Sequence, residues 1–239
     1  MPQVSHNELL NTVDKALEAM GMRQGERAEA AEAIAWLERH GLGGVAELAK
    51  ALDHMPSEAQ GRLIECYRDG GLRVFSANGQ SILSAGRVAI DVLLSMATRY
   101  GLATVRIENC HNRALIPGFC VRAADQDIGV LACWSNQHQS RLHLAWHNGC
   151  DRFPTLRVQA RPRADGPDQS ITLIASRAIQ LMPNLPADID THWLVSAADP
   201  QGMSDAERQA LAGGMSVSDD TWARLKRIAA GVLVDDGLD

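Results

Sequence analysis

No stretch of this chain stays apolar for the roughly 20 residues that cross a bilayer, and the opening MPQVSHNELL has neither the basic nor the apolar region of a secretory signal. A cytoplasmic protein that does not enter the membrane is expected. An excess of positive charge is also missing. The formal net charge is −6, with acidic and basic residues interspersed, which gives no electrostatic ground for nucleic acid or an anionic lipid surface as partner. Cysteine is sparse: Cys66, Cys110, Cys120, Cys133 and Cys150 are widely spaced, odd in number and contain no C-x-x-C pair. They read as reduced thiols, several of them buried as small hydrophobes.

The common signatures of catalysis are lacking too. There is no G-x-x-x-x-G-K-[ST] phosphate loop, no G-x-G-x-x-G after a strand, no G-x-S-x-G and no H-E-x-x-H. GLGGV at Gly41 to Val45 sits between two helical patterns and reads as a close-packed turn. His138, His143 and His147 crowd together, but RLHLAWH alternates like a strand. On a strand His143 and His147 stand about 13 Å apart, too far for one zinc, so no metal site is expected.

What is present is a core. With 239 residues, 46% of them hydrophobic, the chain can bury a sizeable apolar interior. Residues 1–69 read as a helical cap or dimerisation subdomain. Ser5 with Glu8 forms a capping box ahead of Leu9, Val13 and Leu17, a second helix runs from about Glu26 to His40, and short helices follow at Val45 to Leu52 and Glu58 to Tyr67. From Gly70 to the end the pattern is a mixed α/β sheet domain closed by a C-terminal helix. LRVFSANG, LATVRIEN and IGVLACWS are strands, and helices at GRVAIDVLLSMATRYG and PGFCVRAADQD separate them. IGVLACWS lacks clean alternation and should be an interior strand covered on both faces. RLHLAWH, TLRVQARP and QSITLIAS should pair antiparallel, with THWLVSA as a last strand and a helix capped at Ser218 or Asp219.

The polar cluster at the end of LATVRIENCHNR is the principal candidate site, because open α/β sheets place ligands at the carboxyl ends of their strands. His111 suits general acid/base work, and Arg113 beside it could orient an anionic substrate, with Asn109 and Asn112 as further contacts. The same residues could equally do no more than cap the following helix. Arg157, with Arg152, Arg161 and Arg163, forms a cationic strip able to recognise a carboxylate or phosphate, or simply a solvated strand face.

The segment GRVAIDVLLSMATRYGLATVRIENCHNRALIPGFCVRAADQDIGVLACWSN resembles the malate/L-lactate dehydrogenase family of the second, non-Rossmann type. LGGVAEL is similar to that family's S-H-G-V-x-R-L turn, and the whole is closer still to a shorter bacterial group with a domain of unknown function. The resemblance implies an unusual α/β fold, a homodimer or a subunit of a hetero-oligomer, a small anionic substrate, and a nicotinamide cofactor, NAD or NADP. It also implies degenerate catalytic motifs. The family's first histidine falls on Gly43, its arginine on Glu47, and its second histidine on Asn112, leaving His111 one place away. Two roles follow: an oxidoreductase-like enzyme using His111, with Arg113 or Arg157 holding substrate, or a non-catalytic binding or regulatory subunit beside a dehydrogenase. Both require the strand end near Asn109 and the glycine turn at Gly43 to meet at one hollow.

Overall fold

The computed structural model describes residues 1–53, 55, 63–136, 140–149, 151–160, 169–182 and 194–234. His138, Cys150, Arg161, Arg163 and nearly all of the loop expected over 182–190 lie outside the described residues.

The N-terminal helices form where their caps and apolar spacing place them. Helix α1 (His6–Ala19) begins at Ser5, whose hydroxyl accepts from the Glu8 amide, and it buries Leu9, Val13, Ala16 and Leu17. Helix α2 (Gln24–Arg39) buries an alanine-rich face together with Ile34 and Leu37. Helix α3 (Gly44–Leu52) follows a tight turn in which Gly43 takes a left-handed conformation at φ 67°. A Cβ on Gly44 would lie 2.3 Å from the Ile34 carbonyl oxygen, so glycine is what lets α3 press against α2.

Strand β2 (Ile64–Asp69) stands where a helix over Glu58 to Tyr67 was expected. It pairs antiparallel with β3 (Leu72–Ser81) around Gly70 and Gly71, Asp69 opposite Leu72. The two-glycine link with β-favouring Ile64, Cys66 and Tyr67 before it is a hairpin signal, and it overrides the weak helical spacing. Helix α4 (Ile82–Tyr100), capped by Ser81, carries the chain to β4 (Leu102–His111), which runs parallel to β3 in a β-α-β unit. After β4 comes a 3-10 turn at Arg113–Leu115, then α5 (Pro117–Cys120). The helix expected over 117–127 is α-helical only to Cys120 and continues as 3-10 from Val121 to Gln126.

Strands β5 (Gly129–Asn136), β6 (Arg141–His147), β7 (Thr155–Ala160), β8 (Ile171–Ser176) and β9 (Leu194–Ala198) complete an eight-stranded mixed sheet of order β2-β3-β4-β8-β5-β6-β7-β9. β6 and β7 pair antiparallel as expected, whereas β8 inserts between β4 and β5. β5 is interior, but its coverage is one-sided: Val130, Ala132 and Trp134 are buried while Leu131 and Cys133 between them are only half-buried. Helix α4 packs on the buried face against β3, β4 and β8.

Helix α6 (Pro200–Gly213) starts at an Asp199 cap, and α7 (Asp219–Ala230) starts at Ser218 and packs on α1. Short strands β1 (Gln3–Val4) and β10 (Met215–Ser216) pair with each other beside them. Helical and sheet residues share one contiguous apolar core. No helix among the described residues is long and apolar enough to cross a membrane.

Candidate functional site

The carboxyl ends of β3 and β4 lie side by side, with Ser81 paired to His111. There the backbone turns sharply. Asn109 and Asn112 both take positive φ, 51° and 56°, a conformation that asparagine tolerates better than most side chains. His111 is half-buried and makes its own contacts within the fold. Arg113 turns back on the protein: Nη1 donates to the Cys110 carbonyl at 2.8 Å and Nη2 to the Ser135 carbonyl at 3.0 Å. Its guanidinium thus ties the end of β4 to the end of β5.

The turn after β4 and the glycine turn do meet at one hollow. A cleft of about 470 Å³ is bounded by Leu42, Glu47 and Lys50 on one side, Ala114 on another, and Trp134, Arg141 and His143 from the sheet. Of the expected site residues, Arg157 borders this cleft and His111 does not. Arg157 sits opposite Leu144, so strand alternation sends its side chain to the other face from His143, and its guanidinium lies over the Trp146 ring at 5.3 Å.

The histidine lining the cleft is His143, which the strand pattern set aside as a poor metal ligand. Its ring stacks on Trp134 with centroids 5.1 Å apart and planes at 13°. Nε2 is buried and has no hydrogen-bond partner among the described residues. Burial, then the charges of Arg141 and Arg113, hold the imidazole below its ordinary pKa against the opposing pull of Glu47. A neutral imidazole thus lines a mostly apolar cleft to which Arg141, Lys50 and Arg157 contribute cations, with its unpartnered Nε2 turned into the protein. The signal available in the sequence was His143 flanked by Arg141 on an alternating strand, across from Val158.

Two further features limit the chemistry. The first free amide of α3, that of Val45, donates to Glu38 Oε2 at 2.8 Å, so the helix end that could have cradled a phosphate is filled by the protein's own carboxylate. Lys50 pairs with Glu47 at the cleft mouth. At the start of α3, therefore, the Glu38 carboxylate stands where an anion would have to meet the Val45 amide. Among the described residues no three or more His, Cys, Asp or Glu side chains gather as metal ligands would. Cys110 and Cys120 are buried thiols pushed up to about 12 and are inert as nucleophiles.

A family model described as a protein of unknown function, DUF3726, matches residues 4–92, less than half of the chain. A search of curated protein sequences returns no match. Among solved structures, malate dehydrogenase from Pyrococcus horikoshii OT3 superposes with a TM-score of 0.72 at 10% identity, over 99% of this chain and 97% of that one. A dehydrogenase from Sinorhizobium meliloti gives 0.71 at 13% identity, over 96% and 99% of the two chains. Delta1-piperideine-2-carboxylate reductase from Pseudomonas syringae pvar. tomato gives 0.63 at 12% identity, over 95% and 100%. The chain thus shares the fold of the malate/lactate dehydrogenase-type structures.

Proposed function

We propose that the His143 cleft binds a small carboxylate, a 2-oxo acid or cyclic imino acid, and that the protein works by binding it rather than by reducing it. The observation that carries this reading is the neutral imidazole of His143, stacked on Trp134 beside Arg141 in this cleft. A ligand carboxylate would pair with Arg141. Its neighbouring carbonyl, hydroxyl or imine would lie against the imidazole of His143.

On this reading turnover is lost through the residues at the two places where the resemblance expects histidines. Gly43 offers no side chain and Asn112 an amide that neither takes up nor gives a proton near neutral pH, so neither can replace a catalytic imidazole. Arg113 is committed to carbonyl oxygens and leaves the substrate to other groups. On this reading the protein is a homodimer or a subunit beside a true dehydrogenase.

A second reading has one observation in its favour. A neutral imidazole is a competent proton acceptor, so His143 or His111 could serve a diverged oxidoreductase that holds NAD or NADP elsewhere on the chain. Thermal denaturation with 2-oxo and imino acids, each with and without NAD(P)H, separates the two. Binding predicts a rise in Tm with the acid alone and no cofactor oxidation. Turnover lost in His111→Ala or His143→Gln but kept in His6→Ala would establish the enzyme instead.

A further inference from the structure

A second cavity, about 720 Å³ and sharing no lining residue with the His143 cleft, opens where the end of α2 meets the β6–β7 connection and α6. One wall is aromatic. Trp36 and His40 have ring centroids 4.2 Å apart, His40 and Phe153 are at 5.3 Å, and the Arg152 guanidinium covers Phe153 at 4.9 Å.

Nitrogen groups from two segments converge there on one carboxylate. Arg152 Nη2 is 2.6 Å from Glu207 Oε2, and His40 Nε2 and Arg39 Nε stand 3.7 and 4.0 Å from Oε1. His40 is fixed from behind, its Nδ1 donating to the Trp36 carbonyl at 2.6 Å, which turns Nε2 toward Glu207. Two guanidinium groups beside a single carboxylate are donors of the kind with which proteins take up carboxylate and phosphate, and His40, its N–H spent on the Trp36 carbonyl, packs beside them.

The oxyanion they hold arrives on a loosely seated element. Glu207 belongs to α6, whose buried residue is Met203 and whose Leu211 is 73% exposed. Arg152 is itself 71% exposed, so the ion pair that anchors Glu207 is open to exchange. The cavity also has room beyond the carboxylate, along Trp36 and Phe153.

We propose that this cavity is an oxyanion site that the chain fills with its own Glu207, and that a small molecule bearing a carboxylate or phosphate displaces Glu207 from Arg39 and Arg152 and frees α6. Asp127 and Asp151 at the rim select against ligands of high negative charge.

The test uses the full chain and compares wild type with Glu207→Ala and the isosteric Glu207→Gln. Each is melted in acetate, in inorganic phosphate and in chloride of matched ionic strength. Both variants should show a saturable rise in Tm, about 3–6 °C at ten times the Kd, with acetate or phosphate but not chloride. Wild type should need at least tenfold more anion, and Arg152→Ala combined with Glu207→Gln should lose the response. Whichever of acetate and phosphate acts at lower concentration names the source of the oxyanion. In wild type, saturating anion should also speed proteolysis within α6. Variants that respond no better than wild type, an equal response to chloride, or cleavage of α6 that ignores the anion would each overturn the proposal.

Discussion

Replacing Arg113 by alanine separates a structural arginine from a substrate-binding one. The guanidinium makes two charge-assisted hydrogen bonds, to the Cys110 and Ser135 carbonyls at 2.8 and 3.0 Å, and both are part-buried. A hydrogen bond to a charged group contributes about 1.5–3 kcal/mol, and an acceptor left without a partner costs a similar amount. Water can reach part of this site, so the two together should come to about 2–4 kcal/mol. For a chain of this length that is a fall in Tm of roughly 4–16 °C. Urea denaturation followed by circular dichroism measures it directly. Arg113→Lys should recover little, because one ammonium cannot reproduce the planar fork that spans two strands. If Arg113→Ala melted within a degree of wild type while losing affinity for carboxylates, the assignment of Arg113 to the fold would be refuted.

Gly44→Ala should destabilise by about 3 kcal/mol or more, since its Cβ would meet backbone at 2.3 Å, whereas Gly43→Ala, with nothing within 4 Å, should cost only about 1 kcal/mol for its left-handed backbone; paired urea midpoints test the contrast. Acid should weaken the fold. His40, His143 and His147 are all held below the ordinary histidine value, chiefly by burial, so the unfolded chain takes up protons first. Stability is therefore complete above about pH 6.5 and falls below it, by up to about 1.4 kcal/mol per pH unit for each proton and less for the half-exposed His143; a urea midpoint that did not move between pH 8 and 5.5 would contradict this. Thiol labelling of the native protein should modify exposed Cys66 and spare Cys110 and Cys120, as peptide mapping would show.

Much of the fold was legible because local signals agreed with it. The capping box at Ser5, the apolar stripe of α1 and the alternation of RLHLAWH each name one element and its buried face. The failures have separate causes. Helix α6 went unread although Asp199, Pro200 and Gly214 are a cap, a first-turn proline and a terminating glycine, because its apolar stripe is too thin to announce burial. β2 was masked by a helical spacing that the Gly70-Gly71 hairpin overrides.

The site was half legible. That the β4 end and the glycine turn would meet was implied by the resemblance to the malate/L-lactate dehydrogenase family, but which side chains enter the hollow depends on long-range pairing. Arg157 and His143 lie on neighbouring strands, yet register places their side chains on opposite faces. Nor does spacing reveal that Arg113 would bond Ser135, since that requires β5 to lie within reach.

The central claim is that a small carboxylate seats against His143. Its most direct measurement is the imidazole signal of His143 by NMR as a 2-oxo acid is titrated into the full chain, assigned with His143→Gln. The account predicts a saturating shift of that resonance and at least a tenfold loss of affinity in the variant. An unmoved His143 signal at saturating acid, or unchanged affinity in His143→Gln, would contradict it.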